Sequence, residues 1–146
     1  MNKTTEHNQI PINFSFCNAK TLDNYISGEN KHLIKALKEF AKNNHGQLIY
    51  LFGEKSTGKS HLCKAVFDII EDTKILVNQH NFDALKEIDF QNINYLILDD
   101  FEIILEKGYN EDTLFYYINE FIISKKSLLI SSINSTEQIT FTKKDL

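Results

Sequence analysis

The sequence has no arginine and no tryptophan, one proline (Pro11), five glycines and two cysteines in 146 residues. Each scarcity excludes something. Because all 16 basic residues are lysines, no side chain offers the planar, forked guanidinium that grips a phosphate at two points. The net charge is -4, and the largest basic clusters are the pairs Lys125-Lys126 and Lys143-Lys144. Neither makes a nucleic-acid footprint, so no direct specific nucleic-acid contact is expected. Cys17 and Cys63 are far apart in sequence, which argues against a structural disulfide. His7, His32, His45, His61 and His80 show no ligand spacing with one another or with the cysteines, so no zinc is expected. No apolar run approaches the roughly 18 residues of a membrane span, and Met1 to Gln9 is too polar for a secretory signal. A cytoplasmic protein of one domain, without membrane contact, is the expectation.

What is present is concentrated between Leu48 and Ser60. Residues Gly53 to Ser60 read Gly-Glu-Lys-Ser-Thr-Gly-Lys-Ser, a complete G-x-x-x-x-G-K-S/T phosphate loop, and they follow the apolar run Leu48-Ile49-Tyr50-Leu51-Phe52. A continuous apolar run is what a parallel strand buried on both faces requires. Beyond Lys59, Leu62, Ala65, Val66, Ile69 and Ile70 recur at helical spacing, which predicts a helix whose N-terminus faces the phosphates. In such a loop the backbone N–H groups of Gly53, Glu54, Lys55, Ser56, Thr57 and Gly58 cradle phosphate oxygens, with His61 next in line. Lys59 reaches the β and γ phosphates and Ser60 ligates Mg²⁺. The expected cofactors are ATP or ADP with Mg²⁺.

The metal also needs a hard oxygen from a second buried strand. Tyr95-Leu96-Ile97-Leu98-Asp99-Asp100 supplies it: Asp99 is the predicted Mg²⁺ partner, directly or through water. Asp100 is either the residue that polarises an attacking water or a solvated loop acid.

Around these motifs, strands and helices alternate. A polar leader at residues 1 to 20 is followed by a predicted domain over 21 to 146. Asn30 to Lys42 forms a helix burying Leu33, Ile34, Leu37 and Phe40, with Gly46 beyond its end. Lys74 to Val77 is a strand, Phe82 to Glu87 a short helix, and Ser127 to Ser132 a fourth strand. Asn110 to Ser124 is a helix with Leu114, Phe115, Ile118, Phe121 and Ile122 facing in, capped by Asn110 or Asp112. The predicted fold is α/β, a parallel-sheet P-loop NTPase with helices on both faces.

Three segments together carry a family resemblance: Leu51-Phe52-Gly53 through Ser60-His61-Leu62, Leu98-Asp99-Asp100-Phe101-Glu102, and Leu129-Ile130-Ser131-Ser132. They resemble the AAA+ module of the DnaA replication initiators, and within that group the Hda-like regulatory inactivators. Tyr25-Ile26-Ser27-Gly28-Glu29-Asn30 leading straight into the first helix favours the latter. The resemblance implies an adaptor that binds the sliding clamp and acts on DnaA-bound ATP. Hda-like proteins carry a short clamp-binding motif near their start, and Gln9-Ile10-Pro11-Ile12-Asn13-Phe14 is similar to it. Gln9 would supply hydrogen bonds while Ile10, Ile12 and Phe14 meet an apolar pocket, with Pro11 lowering the ordering cost. The other reading is that Ile10, Ile12 and Phe14 alternate on a strand covering this domain's own core.

The sequence departs from the pattern in three places. Ser56 stands where the initiators usually have glycine, which should make the loop less permissive. The polar γ-phosphate sensor ending the fourth strand falls near Ile133, with Asn134 the nearest candidate. The sequence runs to Leu146, so the expectation is an AAA+ core lacking the arginine finger, the fifth strand and the helical lid. Without that strand, Leu48 to Phe52 would be an open sheet edge inviting self-association. Without an arginine, hydrolysis should be weak at most. Two other readings remain: a self-contained P-loop ATPase or kinase, and an interaction protein with a vestigial nucleotide site.

Overall fold

The computed structural model describes residues 21–23, 30–108 and 110–138. The predicted leader, with its motif from Gln9 to Phe14, lies outside the described residues. Helix α1 (Lys31–Lys42) is followed by β1 (Leu48–Phe52), α2 (Lys59–Ile69), β2 (Lys74–Val77), β3 (Tyr95–Leu98), α3 (Phe101–Glu106), α4 (Glu111–Ile123) and β4 (Ser127–Ser132). The four strands form one parallel sheet in the order β1-β4-β3-β2.

Side chains alternate across a strand, and the two central strands use this to build two cores. Tyr95, Ile97 and Leu129 point to the face covered by α1 and α2, where they meet Phe40, Leu62 and Val66. Leu96, Leu98, Leu128 and Ile130 point to the other, against Phe101, Ile104, Leu114 and Phe121 of α3 and α4. Phe40 and Tyr95 pack edge to face at 5.5 Å, a geometry contributing about 0.5–1.5 kcal/mol beyond the area buried. Every residue of β3 and β4 is buried.

The outer strand departs from the doubly buried reading and takes the open-edge one. Among the described residues β1 pairs with β4 alone, and Leu48 and Phe52 are 55% and 61% exposed. An apolar run therefore does not by itself place a strand at the centre of a sheet. The same holds on the helices: Ile69 and Ile122 fit the apolar periodicity yet are exposed, because each sits on the margin of its helix face. The short helix after β2 is a 3₁₀ turn over Phe82–Lys86. Asn110, rather than Asp112, caps α4 by accepting from the Thr113 N–H at 3.0 Å. Helix α3 and a second 3₁₀ turn at Phe90–Asn92 are too short to leave a periodic signal and were not predicted.

Gly46 does not terminate α1, which ends at Asn43 in extended conformation. Its φ is +69°, and a Cβ there would stand 2.6 Å from the Lys125 carbonyl oxygen. Glycine is needed because the chain crosses the α4–β4 turn at backbone contact. The next residue accepts from the Leu128 N–H through the Gln47 carbonyl at 2.8 Å, which sets the register of β1 on β4.

Candidate functional site

Ligands of parallel α/β sheets bind beyond the carboxyl ends of the strands, and here all four strands open onto one cavity of about 680 Å³. Lys55, Ser56 and Gly58 line it after β1, Gln79 after β2, Asp100 and Glu102 after β3, and Ile133 after β4. Lys59, Ser60 and His61 reach it from the first turn of α2.

The phosphate-loop wall is built by local backbone geometry. Gly58 occupies the N-cap of α2 at φ +90°, so no side chain caps the first turn. Thr57 braces the loop by donating from its hydroxyl to the Glu54 carbonyl at 2.9 Å. Lys59 is buried, and its ammonium donates to the Gly53 and Glu54 carbonyls at 2.7 Å each. Those contacts hold the cation inside the curve of the loop. Ser56 lies at φ +65°, a left-handed conformation that costs a non-glycine residue about 1–3 kcal/mol. This accounts for glycine being usual at the position.

The opposite wall is assembled from separate strands. Asp99 is buried at the end of β3; its Oδ1 accepts from the Ser60 hydroxyl at 3.2 Å and the Ser131 hydroxyl at 2.5 Å. Asp100 adopts a left-handed conformation (φ 54°, ψ 54°) that turns the chain from β3 into α3. Its N–H donates to Ser131 Oγ at 3.0 Å. Two residues later, Glu102 is buried on the cavity wall, and its Oε2 has no hydrogen-bond partner. Burial raises the Asp100 carboxyl above its ordinary range, and the negative charges of Asp99 and Glu102 add to this, while Lys59 and Lys55 oppose it.

The predicted residues are placed unequally. Ser60 and Asp99 come into direct contact, and Lys59, Ser60, His61 and Asp100 share the cavity. His61 also donates from Nε2 to the Thr21 carbonyl at 2.7 Å; a carbonyl only accepts, so this nitrogen carries the proton. Beyond β4 the cavity is lined by Ile133, while the Asn134 carbonyl accepts from the Tyr50 hydroxyl at 2.9 Å. Gln9, Ile10, Ile12 and Phe14 lie outside the described residues. Glu102 and Ser131 were missed. Glu102 carries the weak signal of an acid amid apolar neighbours, whereas Ser131 carries none, since a strand serine is ordinary.

Comparison with known proteins places this architecture. No family model matches the chain. The chromosomal replication initiator protein DnaA 1 of Chlamydia muridarum is 28% identical over 89% of this chain and 32% of its own. The AMPPCP-bound DnaA of Aquifex aeolicus superposes with a TM-score of 0.70 at 23% identity, over 87% of this chain and 45% of that one. Domain III of the Thermotoga maritima replication initiation protein DnaA gives 0.69 at 20% identity, over 83% and 59%. The chain is a DnaA-like AAA+ domain homologue. It spans about a third of the length of the curated relatives it matches. The DnaA-like domain has the α/β fold expected from its sequence, a four-stranded parallel sheet matching domain III of the initiators. Among the described residues no helix is long and apolar enough to cross a membrane.

Proposed function

We propose that the DnaA-like domain binds a purine nucleotide with Mg²⁺ and acts as a regulatory component of replication initiation. One observation carries the nucleotide part: Lys59 and Ser60 line the cavity beyond the strand ends, and Asp99, far from them in sequence, is hydrogen-bonded to Ser60. Phosphates would lie along residues Gly53 to Ser60, against the uncapped N-terminus of α2, where helix dipole and free N–H groups favour an anion. Lys59 would exchange the Gly53 and Glu54 carbonyls for phosphate oxygens. Ser60 and Asp99 offer two hard oxygens, which suits a metal that keeps several waters and completes its shell with phosphates. Among the described residues no group of three or more acids, histidines or cysteines could hold a metal by itself.

The finer reading is an Hda-like adaptor that docks on the sliding clamp through Gln9, Ile10, Ile12 and Phe14 and acts on DnaA-bound ATP. Its support is the likeness of Gln9 to Phe14 to a clamp-binding motif, together with the likeness of the domain to DnaA. Chemistry at the site is weakly equipped, since Asp100, Glu102 and Glu106 are acids and, among the described residues, the lysines on the cavity wall are Lys55 and Lys59. Binding is therefore the primary activity, and any hydrolysis would call on Asp100 to polarise a water.

Thermal unfolding with and without excess Mg·ADP tests the site. A stabilisation of about 2.7 kcal/mol at a hundredfold excess over Kd is expected, and no shift at millimolar nucleotide would refute it. A clamp pull-down comparing the domain with its Gln9→Ala/Phe14→Ala variant tests the adaptor role; equal retention of both removes it.

A further inference from the structure

We infer that Ser131 is the positioning residue of the cation site: one buried hydroxyl on β4 fixes both the metal-facing carboxylate of Asp99 and the backbone of Asp100. The inference rests on the proposed Mg²⁺ role of Asp99. Ser131 is fully buried in the central strand, so its side chain has no freedom to leave and no water to bond instead. Its single proton goes to Asp99 Oδ1 at 2.5 Å, the short distance of a charge-assisted bond. Its oxygen accepts the Asp100 N–H at 3.0 Å. One hydroxyl thus ties the end of β3 to β4 at two successive residues, and the second of these is the left-handed turn that launches α3 and brings Glu102 to the cavity.

Ser60 cannot take over this task. Its hydroxyl also donates to Asp99 Oδ1, at the longer distance of 3.2 Å, but it belongs to the cavity wall. On ligating a cation Ser60 must aim a lone pair at the metal, and the direction left to its proton is then set by the metal. Ser131 does not line the cavity and has no cation to ligate. It holds Asp99 Oδ1 in both situations, keeping the other carboxylate oxygen oriented, and it anchors the Asp100 amide, which lacks any other described partner. Removing the hydroxyl would leave a part-buried N–H without its described partner and a buried carboxylate oxygen with one donor fewer, where a cation must find them in fixed positions.

Ser131→Thr and Ser131→Val form the decisive pair, since threonine and valine have nearly the same shape and differ by the hydroxyl. ADP affinity is measured for each, and for wild type, once with Mg²⁺ and once with EDTA, alongside the melting temperature. We expect Mg²⁺ to strengthen binding in wild type and Ser131→Thr, and this gain to fall about tenfold or more in Ser131→Val, while metal-free affinity is equal in the two variants. A purely structural serine would instead lower both affinities and the melting temperature together, which overturns the inference. An undiminished Mg²⁺ gain in Ser131→Val also overturns it. Absence of any Mg²⁺ gain in wild type refutes the metal role of Asp99 itself, a different failure.

Discussion

The two walls of the cavity are made in different ways. The wall from Gly53 to His61 is one continuous stretch whose shape comes from its own backbone: a serine at positive φ, a glycine N-cap also at positive φ, and a lysine folded back on two carbonyls six and five residues before it. The facing wall takes Asp100 and Glu102 from the β3–α3 turn and Ile133 from just beyond β4, with the buried Asp99 and Ser131 behind it. One wall is a local structure that the sheet merely presents. The other exists only because β3 and β4 are adjacent, and its carboxylates depend on a hydroxyl about thirty residues away in sequence.

Substitutions that act on one wall and spare the other sharpen this contrast. The largest effect is expected where both walls share a foundation: Gly46→Ala drives a Cβ into the Lys125 carbonyl and forces a positive φ on alanine. A loss of about 3 kcal/mol or more is expected by chemical denaturation; a near-neutral result would mean β1 is not held on β4 as described. Lys59→Ala acts on the loop wall alone, and the nucleotide-induced rise in melting temperature should disappear while the apo protein changes by about 1 kcal/mol or less. If the rise persists, Lys59 does not contact the nucleotide.

Asp100→Asn acts on the carboxylate wall, and its effect should depend on pH. The Asp100 carboxyl is raised above the ordinary 3.8, so the folded state holds the proton more tightly than the unfolded one. Its contribution is most favourable below 3.8 and declines as pH rises through the raised value. Asparagine, which tolerates the left-handed conformation, should therefore unfold at a higher temperature than aspartate at pH 7, with the advantage vanishing near pH 3. An advantage independent of pH would show that charge is not the cause. Ser56→Gly should give the smallest effect, stabilising by about 1 kcal/mol through relief of the positive φ, less the entropy glycine loses on folding. A destabilised Ser56→Gly would mean that the serine side chain supports the loop.

The loop wall was legible in the sequence because its determinants are contiguous. A strand, four fixed motif positions and a helical period follow one another from Leu48 to Ile70, and β2, β3, β4, α1 and α4 were equally readable from runs of apolar residues. What escaped was relational. Leu48 and Phe52 read as core residues from the apolar run and as an open edge from the AAA+ resemblance, and the strand order decides for the edge, with β4 the single partner of β1 among the described residues. Ile122 repeats at helical spacing but falls beyond the face that α4 turns to the sheet. Helix α3, six residues long, is too short for a period, and Glu102 was missed with it.

By itself the sequence determined that the domain is an alternation of strands and helices around a phosphate loop, since glycine placement, apolar periodicity and the absence of arginine are properties of the chain taken in order. Only the tertiary structure decided that Ser60 meets Asp99, that Ser131 holds Asp99 and Asp100 together, and that Glu102 turns an unpartnered oxygen into the cavity wall. Those facts depend on which strands lie side by side, and strand adjacency is set by the packing of two cores whose members are spread over most of the described chain.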